Sequence, residues 1–165
     1  MANLTLKSSP VTTIGEIPKV GEKAKNFTLV KNDLTKVSLN DFAGTKLVLN
    51  IFPSVDTGTC ATSVREFNKR ASQLGNAKVL CISRDLPFAL KRYCGAEGLE
   101  NVVTLSDYAN GQFGRDYGLE ISSGVLSFLH SRVVIIVDEN GIIKYTEQVP
   151  EITDEPNYDA ALKAL

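Results

Sequence analysis

The stretch Lys46-Leu-Val-Leu-Asn-Ile-Phe-Pro-Ser-Val-Asp-Thr-Gly-Thr-Cys60 decides the fold. Residues 47–52 form an apolar run of strand length. Pro53 cannot continue a ladder, and residues 54–57 are loop and helix-cap types. With Asp56 or Thr57 as the cap, Cys60 falls in the first turn of the helix that follows. Unpaired backbone N–H groups and the positive end of the helix dipole favour an anion there. A cysteine so placed is suited to act as a thiolate nucleophile. Burial as a small apolar residue is the commoner fate of cysteines, but here the neighbours are polar or glycine, which favours the reactive reading. The Thr57 hydroxyl is close enough in sequence to donate a hydrogen bond to the sulfur.

Working outward, Val64, Phe67, Ala71 and Leu74 recur at spacings of three and four, an apolar helix face that Gly75 ends. Residues 77–82 read as a buried strand, and 87–95 as a helix with Asp85 as candidate cap, Pro87 in its first turn and Gly95 as its stop. A short strand at 102–105 and a helix around 111–117 come next. Residues 132–137 and 142–149 form a hairpin about the turn Asp138-Glu-Asn-Gly141. A last helix covers 154–165. Upstream, 27–30 and 36–39 pair as a hairpin before the turn at 40–44, and residues 3–7 and 10–14 form a smaller one. This order predicts an α/β protein, a mixed sheet with helices on both faces. It spans 1–165 as one domain, with residues 1–17 as a hairpin appendage.

With 165 residues, 43% hydrophobic and 22% charged, the composition is that of a globular protein with a full core. A net charge of −1 without a basic run argues against nucleic acid or an anionic membrane as partner. No apolar stretch reaches membrane-span length, and the first ten residues lack a signal-peptide pattern, so a cytoplasmic setting is expected. Three cysteines at 60, 81 and 94, no Cys-x-x-Cys and a single histidine point to neither a metal site, a cofactor nor a thioredoxin-type pair. Structural thiols or a transient catalytic disulfide remain. His130, without a second ligand, is expected on the surface or in packing. Cys81, between Leu80 and Ile82, reads as a core strand residue.

Proteases, phosphatases and redox enzymes all use thiolates. A protease needs a histidine base, for which His130 is the sole candidate. A phosphatase needs a glycine-rich cradle, but Ala61-Thr-Ser-Val64 follow the cysteine. Pro53, Thr57 and the helix end instead suggest a small, partly apolar pocket around one sulfur. That suits attack on a hydroperoxide, leaving a sulfenic acid at Cys60 that must be resolved before it over-oxidises. Cys94, in the last turn of its helix where fraying is easy, is the candidate for that step. Arg65 is turned away from the sulfur by its five-residue offset along the helix.

The segment Pro53-Ser-Val-Asp-Thr57-x-x-Cys60 with Arg65-x-Phe67-Asn68 resembles the active-site segment of the bacterial thiol peroxidases, the atypical two-cysteine branch of the peroxiredoxins. Residues 132–138 and the tail 151–165 extend the resemblance over nearly the whole chain. It implies a thioredoxin-like fold with an added N-terminal β-hairpin. Pro53 would shield the sulfur, and Thr57 would hold it and the peroxide. Arg132 would be the active-site arginine; apart from the resemblance it reads as a surface or ion-pair residue. A Cys60–Cys94 disulfide re-reduced by thioredoxin, hydrogen peroxide and organic hydroperoxides as substrates, and a homodimer are also implied. A thioredoxin-like protein-disulfide oxidoreductase is the alternative, but it would normally carry paired cysteines at one helix start. A binding protein that merely kept the fold would not need Pro53, Thr57, Cys60 and Arg132 together.

Overall fold

The computed structural model describes residues 1–165. Its elements run β1 (Asn3–Leu6), β2 (Ser9–Thr12), β3 (Thr28–Lys31), β4 (Lys36–Ser38), a 3-10 turn (Leu39–Phe42), β5 (Lys46–Ile51), α1 (Gly58–Ala71), β6 (Ala77–Ser83), α2 (Pro87–Glu97), β7 (Val102–Ser106), α3 (Gln112–Asp116), β8 (Val133–Val137), β9 (Ile143–Gln148) and α4 (Tyr158–Lys163). The seven-stranded sheet has the order β4-β3-β7-β6-β5-β8-β9. Its centre, β5, β6 and β7, is parallel, and the strands outside it pair antiparallel. This is the expected mixed sheet flanked by helices, a thioredoxin-like arrangement with an N-terminal strand pair.

The apolar run becomes β5 because both faces of a central strand are covered. Leu47, Leu49 and Ile51 join Leu80, Ile82, Val133 and Ile135 in one core. Val48 and Phe52 join Val79, Cys81, Val134 and Ile136 in the other. β5-α1-β6 and β6-α2-β7 are successive crossovers in one direction across the sheet. Right-handed crossovers of that kind put both helices on one face. Val64 and Phe67 of α1, Leu90 and Tyr93 of α2 and Ala161 of α4 therefore share the second core. Phe113 of α3 and Tyr117 stack at 4.4 Å between ring centroids on the opposite face.

The hairpin β1–β2 turns at Lys7 and Ser8, with φ of 49° and 68°. Two consecutive positive φ values suit the right-handed twist of a two-residue hairpin, but neither residue is the glycine or asparagine that adopts them easily. Contacts from outside the hairpin hold this turn. Glu151 accepts both turn N–H groups, from Lys7 at 2.9 Å and from Ser8 at 3.1 Å.

Several element ends differ from the sequence expectation. Helix α2 runs through Gly95 and stops at Gly98, which has φ +65°. The Leu99 N–H returns to the Cys94 carbonyl at 3.0 Å and the Leu99 side chain packs on the second core. A glycine stop followed by such an apolar contact is favoured over an isolated glycine. Helix α1 ends at Ala71, a turn before Gly75. Helix α4 begins only at Tyr158, capped by Asn157 accepting from the Ala160 N–H at 3.0 Å. Pro156 disfavours helical backbone at the residue before it.

Candidate active site

Cys60 is the third residue of α1, whose N-cap is Thr57 in extended conformation. No acidic residue occupies the first turn, so no carboxylate competes for the positive helix end. The sulfur is fully buried beside Phe52, Val55 and Val64. β8 runs antiparallel to β5 with Val133 opposite Ile51, which brings Arg132 alongside the strand end that leads into the cysteine loop. Its Nη2 lies 3.3 Å from the Cys60 sulfur, and its Nε donates to the Ile152 carbonyl at 2.9 Å. Arg132 is 1% exposed and its Nη1 has no partner. A buried guanidinium without a carboxylate is costly, and the side chain within hydrogen-bond reach of this one is that of Cys60. The expectation of a surface arginine, held apart from the resemblance, is therefore overturned.

The loop before the helix is clamped by a residue given a different role in the sequence reading. Asp85 was the candidate cap of α2, but the cap position is Leu86 and makes no side-chain bond. Asp85 instead accepts from the Ser54 hydroxyl at 2.7 Å, the Val55 N–H at 2.8 Å and the Ser83 hydroxyl at 2.6 Å. The β5–β6 register sets both strand ends side by side, which explains the reach. Pro53 is buried in this loop. Thr57 is exposed, and its hydroxyl donates to the Ser54 carbonyl at 3.0 Å rather than to the sulfur.

All three cysteines are free thiols. Cys94 lies on the inner face of α2, in its last turn although no longer directly at its end, and is 9% exposed. Burial pushes its thiol pKa up. Cys81 is wholly buried on β6, and burial pushes it up to about 12. Tyr93, the neighbour of Cys94, donates its hydroxyl to the carbonyl of Ala61, the neighbour of Cys60, at 2.8 Å. Arg65 points outward, with its Nη1 3.3 Å from that same tyrosine oxygen. Under the first turn, Asn50 donates to Ser63 at 3.2 Å, and Ser63 to the Cys60 carbonyl at 2.8 Å.

His130 is not on the surface. It is fully buried with Nε2 2.9 Å from Asp107 Oδ2. A Cβ on Gly114 would come within 2.9 Å of its ring, so close packing there requires glycine. This pair braces α3, where Asp107 also accepts from the Gly114 N–H at 3.1 Å.

The redoxin family model matches residues 19–162. This chain belongs to the redoxin family. Within it the chain falls in the thiol peroxidase branch. It is 54% identical to a thiol peroxidase of Corynebacterium glutamicum over 165 residues, all of this chain and 99% of that one. It is 52% identical to a thiol peroxidase of Mycobacterium bovis, with the same coverage. A crystal structure of a peroxiredoxin-like protein from Aquifex aeolicus superposes with a TM-score of 0.93 at 35% identity, covering 99% of this chain and 95% of that one.

In this redoxin chain, Asp85, Tyr93, Ser63 and the 150–153 loop escaped the sequence reading. Each has at least one partner about ten to well over one hundred residues away, reached through strand register or helix packing. The one local hint was a carboxylate two residues after a buried strand, at Asp85, and it also fitted a helix cap.

Proposed function

We propose that this thiol peroxidase reduces hydrogen peroxide and organic hydroperoxides with Cys60 as the peroxidatic thiolate and Cys94 as the resolving thiol. The observation that carries the reading is the buried Arg132 guanidinium 3.3 Å from the Cys60 sulfur, with one N–H-bearing nitrogen left unpartnered. In the first step the sulfur attacks the terminal peroxide oxygen. An S–O bond forms as the O–O bond breaks, and the sulfur supplies two electrons. The departing alkoxide or hydroxide takes a proton from solvent. Arg132 donates to the oxygen on which charge develops, which is most effective in a buried, fixed geometry. Pro53 shields the sulfur from water, and Thr57 frames the entry.

In the second step Cys94, as a thiolate, attacks the Cys60 sulfenic acid, an S–S bond forming as the S–O bond breaks, and the hydroxide leaves as water after taking a proton from solvent. Cys94 is both covered and held protonated by its burial. Opening the end of α2 uncovers the thiol and removes the cause of its raised pKa together. A dithiol then regenerates both thiols by exchange, and we assign that role to thioredoxin in the cytoplasm. Leu86 and Phe88 at the start of α2, and Tyr108 and Phe128 on loops, are 53%, 64%, 43% and 68% exposed, and Arg84 donates to the Phe128 and Tyr108 carbonyls. Large exposed apolar side chains around one anchor support a homodimer through that surface.

The test is peroxide consumption coupled to a thioredoxin system. Wild type turns over and Cys60→Ser does not, because a serine hydroxyl is far less nucleophilic at neutral pH. Retention of the rate within a few-fold in Cys60→Ser refutes the reading. Peptide mapping after one equivalent of peroxide gives a Cys60–Cys94 disulfide; a disulfide containing Cys81 overturns the assignment of Cys94.

A further inference from the structure

The loop 150–153 joins three parts of the molecule that no single element connects. On one side, Thr5 of β1 donates its N–H to the Pro150 carbonyl at 2.8 Å and accepts from the Ile152 N–H at 2.9 Å. Glu151 accepts from the Thr5 hydroxyl at 2.7 Å, from both turn N–H groups of the hairpin, and from the Thr153 N–H and hydroxyl at 3.2 and 2.9 Å. On the other side, the Ile152 carbonyl receives Arg132 Nε, and the Thr153 carbonyl receives the Thr59 hydroxyl at 2.8 Å, one residue before Cys60. The Arg132 side chain makes no other protein hydrogen bond besides its contact with the sulfur. Where its guanidinium points is therefore set by where the Ile152 carbonyl is held.

We propose that Glu151 is a positioning residue for Arg132, and that the N-terminal hairpin is through it a working part of the peroxidatic site. The inference rests on the peroxidase reading above. The carboxylate closes the loop on itself and pins it to the hairpin, so the two carbonyls flanking the site stay in place. Its low pKa, about 2, reflects first the Thr5 hydroxyl and then the Ser8 and Lys7 N–H groups, the same contacts that carry the argument. Releasing them lets Ile152 shift, and displacements of an ångström at a reacting centre lower rates by up to about 10²-fold.

The test is a double-mutant cycle on the full chain, reading the single-turnover rate of Cys60 oxidation by hydrogen peroxide. Glu151→Gln slows oxidation about tenfold or more in wild type but less than about twofold when Arg132 is already methionine, because the two act as one unit. The ratio of Cys60 alkylation by anionic iodoacetate to that by neutral iodoacetamide also falls in Glu151→Gln, since it reads the nearby positive charge. An equal slowing in both backgrounds, or no slowing with an unchanged ratio, overturns the proposal. Where Glu151→Gln fails to fold, Thr5→Val in the same cycle removes one contact to the carboxylate and is judged by the same criteria. A wild type that does not react with peroxide refutes the peroxidase reading instead, and the alkylation ratio still decides the positioning.

Discussion

Replacing Arg132 with methionine removes the contact on which the catalytic reading depends while keeping most of the side-chain volume. Two consequences can be worked from the structure. The site loses a donor 3.3 Å from the sulfur together with the unpartnered Nη1, and loss of one such oxyanion donor slows reactions by about 10²–10³, or 2.7–4 kcal/mol of barrier. Stability responds in two opposing ways. The Ile152 carbonyl loses its arginine donor, which costs about 1–3 kcal/mol if the carbonyl stays dry. Against this, a buried guanidinium with no carboxylate disappears, and the cost of keeping that charge out of water disappears with it. The net effect on folding is small beside the effect on rate. The assay is rapid-mixing oxidation of Cys60 under excess peroxide without reductant, alongside denaturant melts. Arg132→Lys falls between wild type and methionine, because a point charge replaces a planar fork held at Nε. Oxidation within about threefold of wild type in Arg132→Met, with folding intact, refutes the role given to the arginine.

Cys94→Ser is expected to react once with peroxide, accumulate sulfenic or sulfinic acid detectable by mass spectrometry, and fail to turn over with reductant; steady turnover would exclude it as the resolving thiol. A Cys60–Cys94 disulfide closing a loop of this length would give about 3–4 kcal/mol in the chain-entropy model, and if forming it opens the Tyr93–Ala61 contact and part of two helix ends, much of that gain is offset. The oxidised protein is therefore not markedly more stable in denaturant, and amides at 58–62 or 90–97 exchange faster; a full disulfide gain with unchanged exchange would show that the sulfurs meet without opening. Glu151 is lowered from 4.5 to about 2, so its stabilisation is complete above about pH 4.5 and is lost as pH falls toward 2. Wild type should then exceed Glu151→Gln in stability by less at pH 3 than at pH 7, and an equal margin at both would contradict the contacts described.

Local physical chemistry made the reactive end of this protein legible. An apolar run, a proline, a capping threonine and a cysteine three residues later specify strand, loop and helix start from neighbours alone, and Cys60 follows from them. The period-two alternation in 47–52 is masked because both faces of a central strand are apolar, so the sequence showed burial there but not which residue faces which core. Gly95 and Gly98 could each end α2, and the packing of Leu99 on the sheet selects the second. Arg132 was assigned only through resemblance, because nothing near it in the chain distinguishes it from a surface arginine. The antiparallel register of β5 and β8, with Val133 opposite Ile51, sets it against a sulfur 72 residues away. Asp85, Tyr93 and Glu151 likewise meet their partners only after the sheet has formed. Capping and periodicity act within a turn or two and are written in the sequence, whereas register and loop closure depend on the whole sheet; so the place of Cys60 at a helix start was determined locally and its surroundings by tertiary structure.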